Sequence, residues 1–189
     1  SLARILSAHV CPDKEPQALR AGRLCKADLV TLMVYEFPEL QGIMGGYYAA
    51  HSGEEPTVAQ AIQEHYRPAF AGDDPPVSEL GAVIAVADKL DTILGCIGVG
   101  LVPSGSEDPY GLRRNALGII QIFLRRGWQV SLDSLVEEGL RSMGSKIKLA
   151  PETIKNHVME LFFQRYKTYL NEEGFPYDAI DCVLSMGLD

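Results

Sequence analysis

Long apolar runs are missing from this 189-residue sequence: none approaches the roughly 20 residues that a membrane span requires, so no membrane partner is expected. The N-terminus has neither the basic flank nor the apolar core of a signal peptide, and the cytoplasm is the expected compartment. Cysteine is scarce and poorly spaced for chemistry. Cys11, Cys25, Cys96 and Cys182 form no C-x-x-C pair, which argues against a zinc knuckle or a redox pair and reads as mostly core thiols. Strand signals are lacking too, with no segment of five or more alternating β-branched residues between turn signals. Basic residues are the minority, 17 against 25 acidic, and the net charge of −8 opposes indiscriminate binding to phosphate backbones while leaving room for a local basic patch. There is no low-complexity tract and no internal repeat. The chain opens inside a helical pattern at Ser1-Leu2-Ala3 and reads as a piece of something longer.

What is present is helix, and the expected fold class is all-α. The first helix is expected over Leu2 to Val10, ended by Pro12. A second runs from about Pro16 to Tyr35 and stops near Phe37, because Pro38 disfavours helical geometry in the residue before it. A third starts behind Val58. Ser78 offers an N-cap oxygen for a long apolar helix reaching Gly95. Asp108-Pro109 reads as a helix start, with the carboxylate accepting orphan N–H groups and proline at the first helical position, and Gly127 ends that helix. Ser131 caps a helix over Leu132 to Met143, Pro151 opens one reaching Asn171, and Pro176 opens a last one closed by Gly187. The glycine and proline turn between Gly95 and Pro109 is the expected boundary, separating a helical bundle over 1–102 from a helical continuation over 103–189.

Two aspartates interrupt apolar surroundings. On one continuous helix Ala21, Leu24, Cys25, Asp28, Leu32 and Tyr35 would share a face, and Asp88 follows the apolar run Leu80 to Ala87. A buried carboxylate needs a partner. Backbone amides, Lys89 or Arg23 would supply it structurally, and a metal would supply it functionally. His51, His65 and His157 stand alone and read as surface or satisfied core residues; Glu64-His65-Tyr66 could approach a ligand, though nothing in the sequence requires it.

Gly100-Leu101-Val102-Pro103-Ser104-Gly105-Ser106 has phosphate-loop glycine spacing, but Ser106 and Glu107 follow where Lys and then Ser or Thr are required. It reads as an interhelical connection. Arg113 and Arg114 stand near the positive end of their helix, where the macrodipole gives a cation nothing, so they either pair with nearby acids or meet phosphate. Gln41-Gly42-Ile43-Met44-Gly45-Gly46-Tyr47-Tyr48 is flexible and aromatic; Gly45-Gly46 permits close approach of another helix or of RNA, and the tyrosines suit either stacking on bases or core packing.

Several of these words resemble the beta subunit of bacterial two-subunit-type glycyl-tRNA synthetase. They are Lys26-Ala27-Asp28-Leu29-Val30-Thr31, Glu36-Phe37-Pro38-Glu39-Leu40-Gln41-Gly42-Ile43-Met44-Gly45, Ala87-Asp88-Lys89-Leu90-Asp91-Thr92, Pro103 to Pro109, and Leu112-Arg113-Arg114-Asn115-Ala116-Leu117-Gly118, in that order. Lys26-Ala27-Asp28 and Ala87-Asp88-Lys89-Leu90 also resemble two signature positions of the HD-domain phosphohydrolases, where a His-Asp dipeptide and a later aspartate bind a divalent metal. Ala27 stands where the histidine would be, and a methyl group donates no lone pair.

The resemblance implies an HD-like helical bundle whose metal site, at Ala27, Asp28 and Asp88, is degenerate, followed by a further helical region. It implies no catalytic residue here, because adenylate chemistry in that family, with its ATP and Mg2+, belongs to the alpha subunit. The expected partners are glycine tRNA, the alpha subunit and the remaining domains of the beta subunit. Arg113, Arg114 and Lys89 are the foremost candidates for tRNA contact, with Gln41 and Tyr48 behind them. The competing readings are a metal-dependent phosphohydrolase and a purely architectural protein-binding module.

Overall fold

The computed structural model describes residues 1–70, 72–103 and 108–185, and its secondary structure there is entirely helical. The chain divides into two compact units, Ser1–Asp88 and Lys89–Asp189, the division falling inside one long helix.

In the first unit α1 (Leu2–Val10) packs on α2 (Glu15–Leu24), α2 on α5 (Pro56–Glu64), and α4 (Ile43–His51) on α5. Each buries a stripe at helical spacing: Leu2, Ala3, Leu6 and Ser7 on α1, and Val58, Ala59, Ala61 and Ile62 on α5. Leu80 and Ala82 through Val86, at the start of α6 (Glu79–Gly98), are buried in succession, as befits a helix surrounded by others. Ser78 Oγ accepts the Gly81 N–H at 2.9 Å, the expected cap.

The helix expected from Pro16 to Tyr35 is not continuous. It breaks after Leu24 into a 3-10 turn at Ala27–Val30 and a short α3 (Leu32–Glu36), whose start Thr31 caps through the Val34 N–H while its own hydroxyl donates to the Asp28 carbonyl. The break turns Asp28 inward and takes α3 out of register with the α2 stripe. Leu32 and Tyr35, expected on the buried stripe, are 80% and 77% exposed. The sequence reading also missed α4 and placed the start of α5 two residues late, at Val58 instead of Pro56.

In the second unit α9 (Pro151–Glu172) carries the packing, against α7 (Leu112–Arg126), α8 (Leu132–Met143) and α10 (Tyr177–Leu184). Ile154, Val158, Leu161 and Phe162 form its buried stripe. Ser131 caps α8 through the Ser134 N–H, Gly127 closes α7 in the left-handed conformation, and Pro151 opens α9, as the sequence indicates. Pro109 is not the first helical residue: α7 begins at Leu112, and Asp108 caps it from four residues away. Gly98, at the end of α6, accepts N–H groups of Lys148 and Leu149 through its carbonyl at 2.8 and 3.1 Å. The expected closing residue Gly187, and Ser104 to Glu107 of the connecting loop, lie outside the described residues. No helix among the described residues is long and apolar enough to cross a membrane.

Candidate functional site

Asp28 is 1% exposed. Its Oδ2 accepts the backbone N–H groups of Gly42 at 2.6 Å and Gly45 at 3.1 Å, the N-cap and third residue of α4. The carboxylate thus caps a helix to which it is not adjacent in sequence, and the positive end of that helix favours the negative charge. Glycine is required on the other side of this contact. Gly42 has φ of +78°, and a Cβ there would come within 2.8 Å of the Tyr66 ring; at Gly45 a Cβ would lie 3.0 Å from Asp28 Oδ2. A Cβ on Gly46 would lie 2.9 Å from the Ala59 carbonyl of α5. The close approach expected of Gly45-Gly46 is therefore made by a helix.

Lys26 gathers the rest of the polar interior of this unit. Its Nζ donates to Asp88 Oδ2 at 2.8 Å, lies 2.9 Å from His65 Nε2, and sits 3.8 Å from the centroid of the Tyr66 ring. His65 is fully buried, with Nδ1 2.6 Å from the Ile62 carbonyl. A carbonyl only accepts and an ammonium only donates, so Nδ1 carries the proton, Nε2 offers a lone pair to Lys26, and the ring is neutral. Burial pulls the Lys26 ammonium downward, but the Asp88 carboxylate and Tyr66 hydroxyl outweigh it and its pKa ends above the ordinary value. Burial pushes the Cys25 thiol up to about 11, reinforced by Asp88. Cys11 and Cys25 are core thiols as expected, whereas Cys182 is exposed.

Glu64 completes the pattern. Its Oε2 accepts the N–H and hydroxyl of Ser78, at 2.9 and 2.6 Å, and so braces the cap of α6. In the second unit Asp108 accepts the N–H groups of Leu112 at 2.7 Å and Arg113 at 2.9 Å. Three acids of this chain, Asp28, Glu64 and Asp108, serve helix starts.

A divalent metal does not suit the residues around Asp28 and Asp88. Lys26 Nζ already holds Asp88 Oδ2 and faces the lone pair on His65 Nε2, so a metal ion there would meet an ammonium at contact distance. Ala27 is exposed at the start of its turn, and among the described residues no three His, Cys, Asp or Glu side chains converge as ligands. Asp88 pairs with Lys26, a partner that the sequence reading did not name. Lys26 and Glu64 were missed as organisers because their partners are far away in the chain; the signal was a run of polar residues, Glu64-His65-Tyr66, ending an apolar helix.

The remaining candidates separate by exposure. Lys89 is 4% exposed and engaged within the chain. Arg113 is half-buried and engaged, whereas Arg114 is exposed, its guanidinium folded over the Gly111 turn. Gln41 is exposed, as is Tyr48, beside the more exposed Tyr47. Sequence reading gave no hint of an apolar cleft of about 680 Å³ in the second unit, between the end of α7, the Gly127–Ser131 loop and α9. Phe123, Leu124, Trp128, Phe162 and Tyr166 line it, with Trp128 edge-on to Phe123 at 5.7 Å. The one signal was the lone tryptophan directly after the helix-ending Gly127.

Comparison with known proteins bears on the whole length. The sequence profile described as Glycyl-tRNA synthetase beta subunit matches residues 1–185. The glycine–tRNA ligase beta subunit of Trichlorobacter lovleyi is 45% identical over 100% of this chain, and those of Desulfitobacterium hafniense and Geobacter sulfurreducens are each 47% identical over 99% and 100% of it. The chain spans about a quarter of the length of these relatives, 27–28% of each. With a profile match from Ser1 to Ser185 and near-half identity throughout, this chain belongs to the glycyl-tRNA synthetase beta subunit family.

Proposed function

We propose that the chain is a non-catalytic helical part of glycine tRNA ligase that helps position glycine tRNA and assemble the enzyme, with ATP, Mg2+ and the adenylate chemistry at the alpha subunit. Family membership over the full chain carries this reading, and the interior of the first unit supports its non-catalytic side. There the acids that would have held a metal in an HD-like phosphohydrolase brace helices and neutralise Lys26.

For tRNA contact the reading narrows to Arg114, with Gln41 and Tyr48 on the first unit as secondary candidates, since Lys89 is buried and Arg113 is engaged within the chain. A guanidinium free of ion pairs among the described residues and exposed at a helix start suits a phosphate, which it grips with two parallel N–H groups. The test is affinity for glycine tRNA against a non-cognate tRNA over a salt series. Arg114→Glu is expected to weaken binding and to flatten the dependence of log affinity on log salt by about one unit for each phosphate that the guanidinium neutralises. An unchanged slope in a folded variant removes Arg114 from the interface, and no binding at low salt leaves the architectural role.

A further inference from the structure

The first unit presents a ridge of large apolar side chains. Leu29, Val30, Leu32, Tyr35, Phe37 and Tyr47 are 46–90% exposed, and they lie on the 3-10 turn at Ala27–Val30, on α3, on the connection to Pro38 and on α4. These elements adjoin: the turn packs on both α3 and α4, and α3 packs on the Pro38–Leu40 segment. From Ala27 to Tyr66 the sequence contains no lysine and no arginine, while Glu36 and Glu39 stand exposed among the apolar groups. A surface of this kind rarely stays open to water on a monomer.

We propose that this ridge is a docking surface for a segment of the family-length beta subunit outside these 189 residues, one that presents an apolar face bordered by lysine or arginine. Three observations select that occupant. RNA is disfavoured, since the segment from Ala27 to Tyr66 brings no cation of its own to neutralise phosphates. A second copy would bring Glu36 and Glu39 against the like charges of its partner. The relatives carry nearly three quarters of their length outside the matched region, and a tethered segment is available at high effective concentration, as permanent cover requires. The proposal rests on family membership and not on the tRNA contact proposed above.

Labelling rates of introduced cysteines test it. Val30→Cys and Tyr35→Cys alter exposed side chains, so the fold, checked by circular dichroism, is expected to persist. Each is made in the 189-residue chain and in a Trichlorobacter lovleyi beta subunit whose matching region is replaced by this chain, with cysteines at the matching positions of the unaltered subunit as a second form of the measurement. Maleimide modification is followed by peptide mass spectrometry, which separates these sites from the native cysteines. Fast labelling in the chain and labelling slowed about tenfold or more in both long subunits, without any other component, supports the proposal. Equal rates in the chain and the long subunits overturn it. So does protection that arises only on adding alpha subunit, only on adding glycine tRNA, or in the 189-residue chain at raised concentration; these outcomes assign the ridge to the other subunit, to RNA and to a second copy respectively.

Discussion

Both units carry surface ion pairs, but they differ in how much polar chemistry they bury. The first draws Asp28, Glu64 and His65 into its interior and partners them with backbone amides, a serine cap and Lys26, with Asp28 Oδ1 left buried without a hydrogen-bond partner among the described residues. In the second, Lys155 bridges Asp133 and Glu137 at 2.8 and 2.7 Å on the surface, Lys167 meets Asp181, and the cleft beside α9 is lined by aliphatic and aromatic groups. Lys89 is the exception, a buried cation in the second unit. The difference teaches that a buried acid is not by itself a sign of catalysis. Its meaning depends on whether it faces N–H groups, which fix it as architecture, or an open ligand position.

Removing the deepest of these acids should break the comparison hardest. Asp28→Ala leaves two buried N–H groups at the start of α4 without an acceptor, and the expected loss is about 2–6 kcal/mol, from roughly 1–3 for each unsatisfied group. Asp28→Asn keeps one acceptor oxygen and should recover part of it. Chemical denaturation followed by circular dichroism measures both; a loss under about 0.5 kcal/mol in Asp28→Ala would show that the cap contributes little. The sole tryptophan, Trp128, lies in the second unit, so its emission read in the same titration reports on that unit.

Lys26→Met should cost less, about 1 kcal/mol after allowing for partial solvent access, because Asp88 and His65 lose a shared donor but water reaches part of the cluster. The pH dependence gives a sharper signature. The folded-state pKa of Lys26 lies above its ordinary 10.5, so its contribution is complete below that value and fades as pH rises through the higher folded value. Wild-type stability should therefore fall relative to Lys26→Met in strongly alkaline solution, and parallel curves there would remove the ion pair from the account.

The surface pair in the second unit should matter least. Lys155→Gln is expected to change stability only slightly, and the change should shrink with added salt. Hydrogen bonding from Lys155 holds the Glu137 carboxyl below its ordinary 4.5, so whatever the pair contributes is present above that value and disappears as pH falls through the lower folded one. A large, salt-insensitive loss at neutral pH would erase the contrast between the units.

The legibility of the sequence tracks the same divide between near and distant partners. Ser78, Ser131, Gly127 and Pro151 mark helix ends through groups only a few residues away, and all four were readable. The break after Leu24 was not, since it exists to aim Asp28 at amides 14 and 17 residues ahead, and Lys26 was overlooked because its partners lie 39 and 62 residues away. Gly45-Gly46 was legible as a place of close approach, but a helix there was not, because glycine is a poor helix former; its smallness is what lets α4 approach α5. Arg113 and Arg114 are indistinguishable as letters, yet one residue of helix turns them to different surroundings.

The distant cap also sets an order of events. With two adjacent glycines and no side-chain cap of its own, α4 has little reason to form as an isolated segment. Its first turn is completed only when the loop between Asp28 and Gly42 has closed and α5 is in place to receive Gly46. The α4 amides should therefore exchange with solvent through cooperative opening of the whole first unit and not by fraying from one end, making this short helix a late and all-or-none reporter of that unit's assembly.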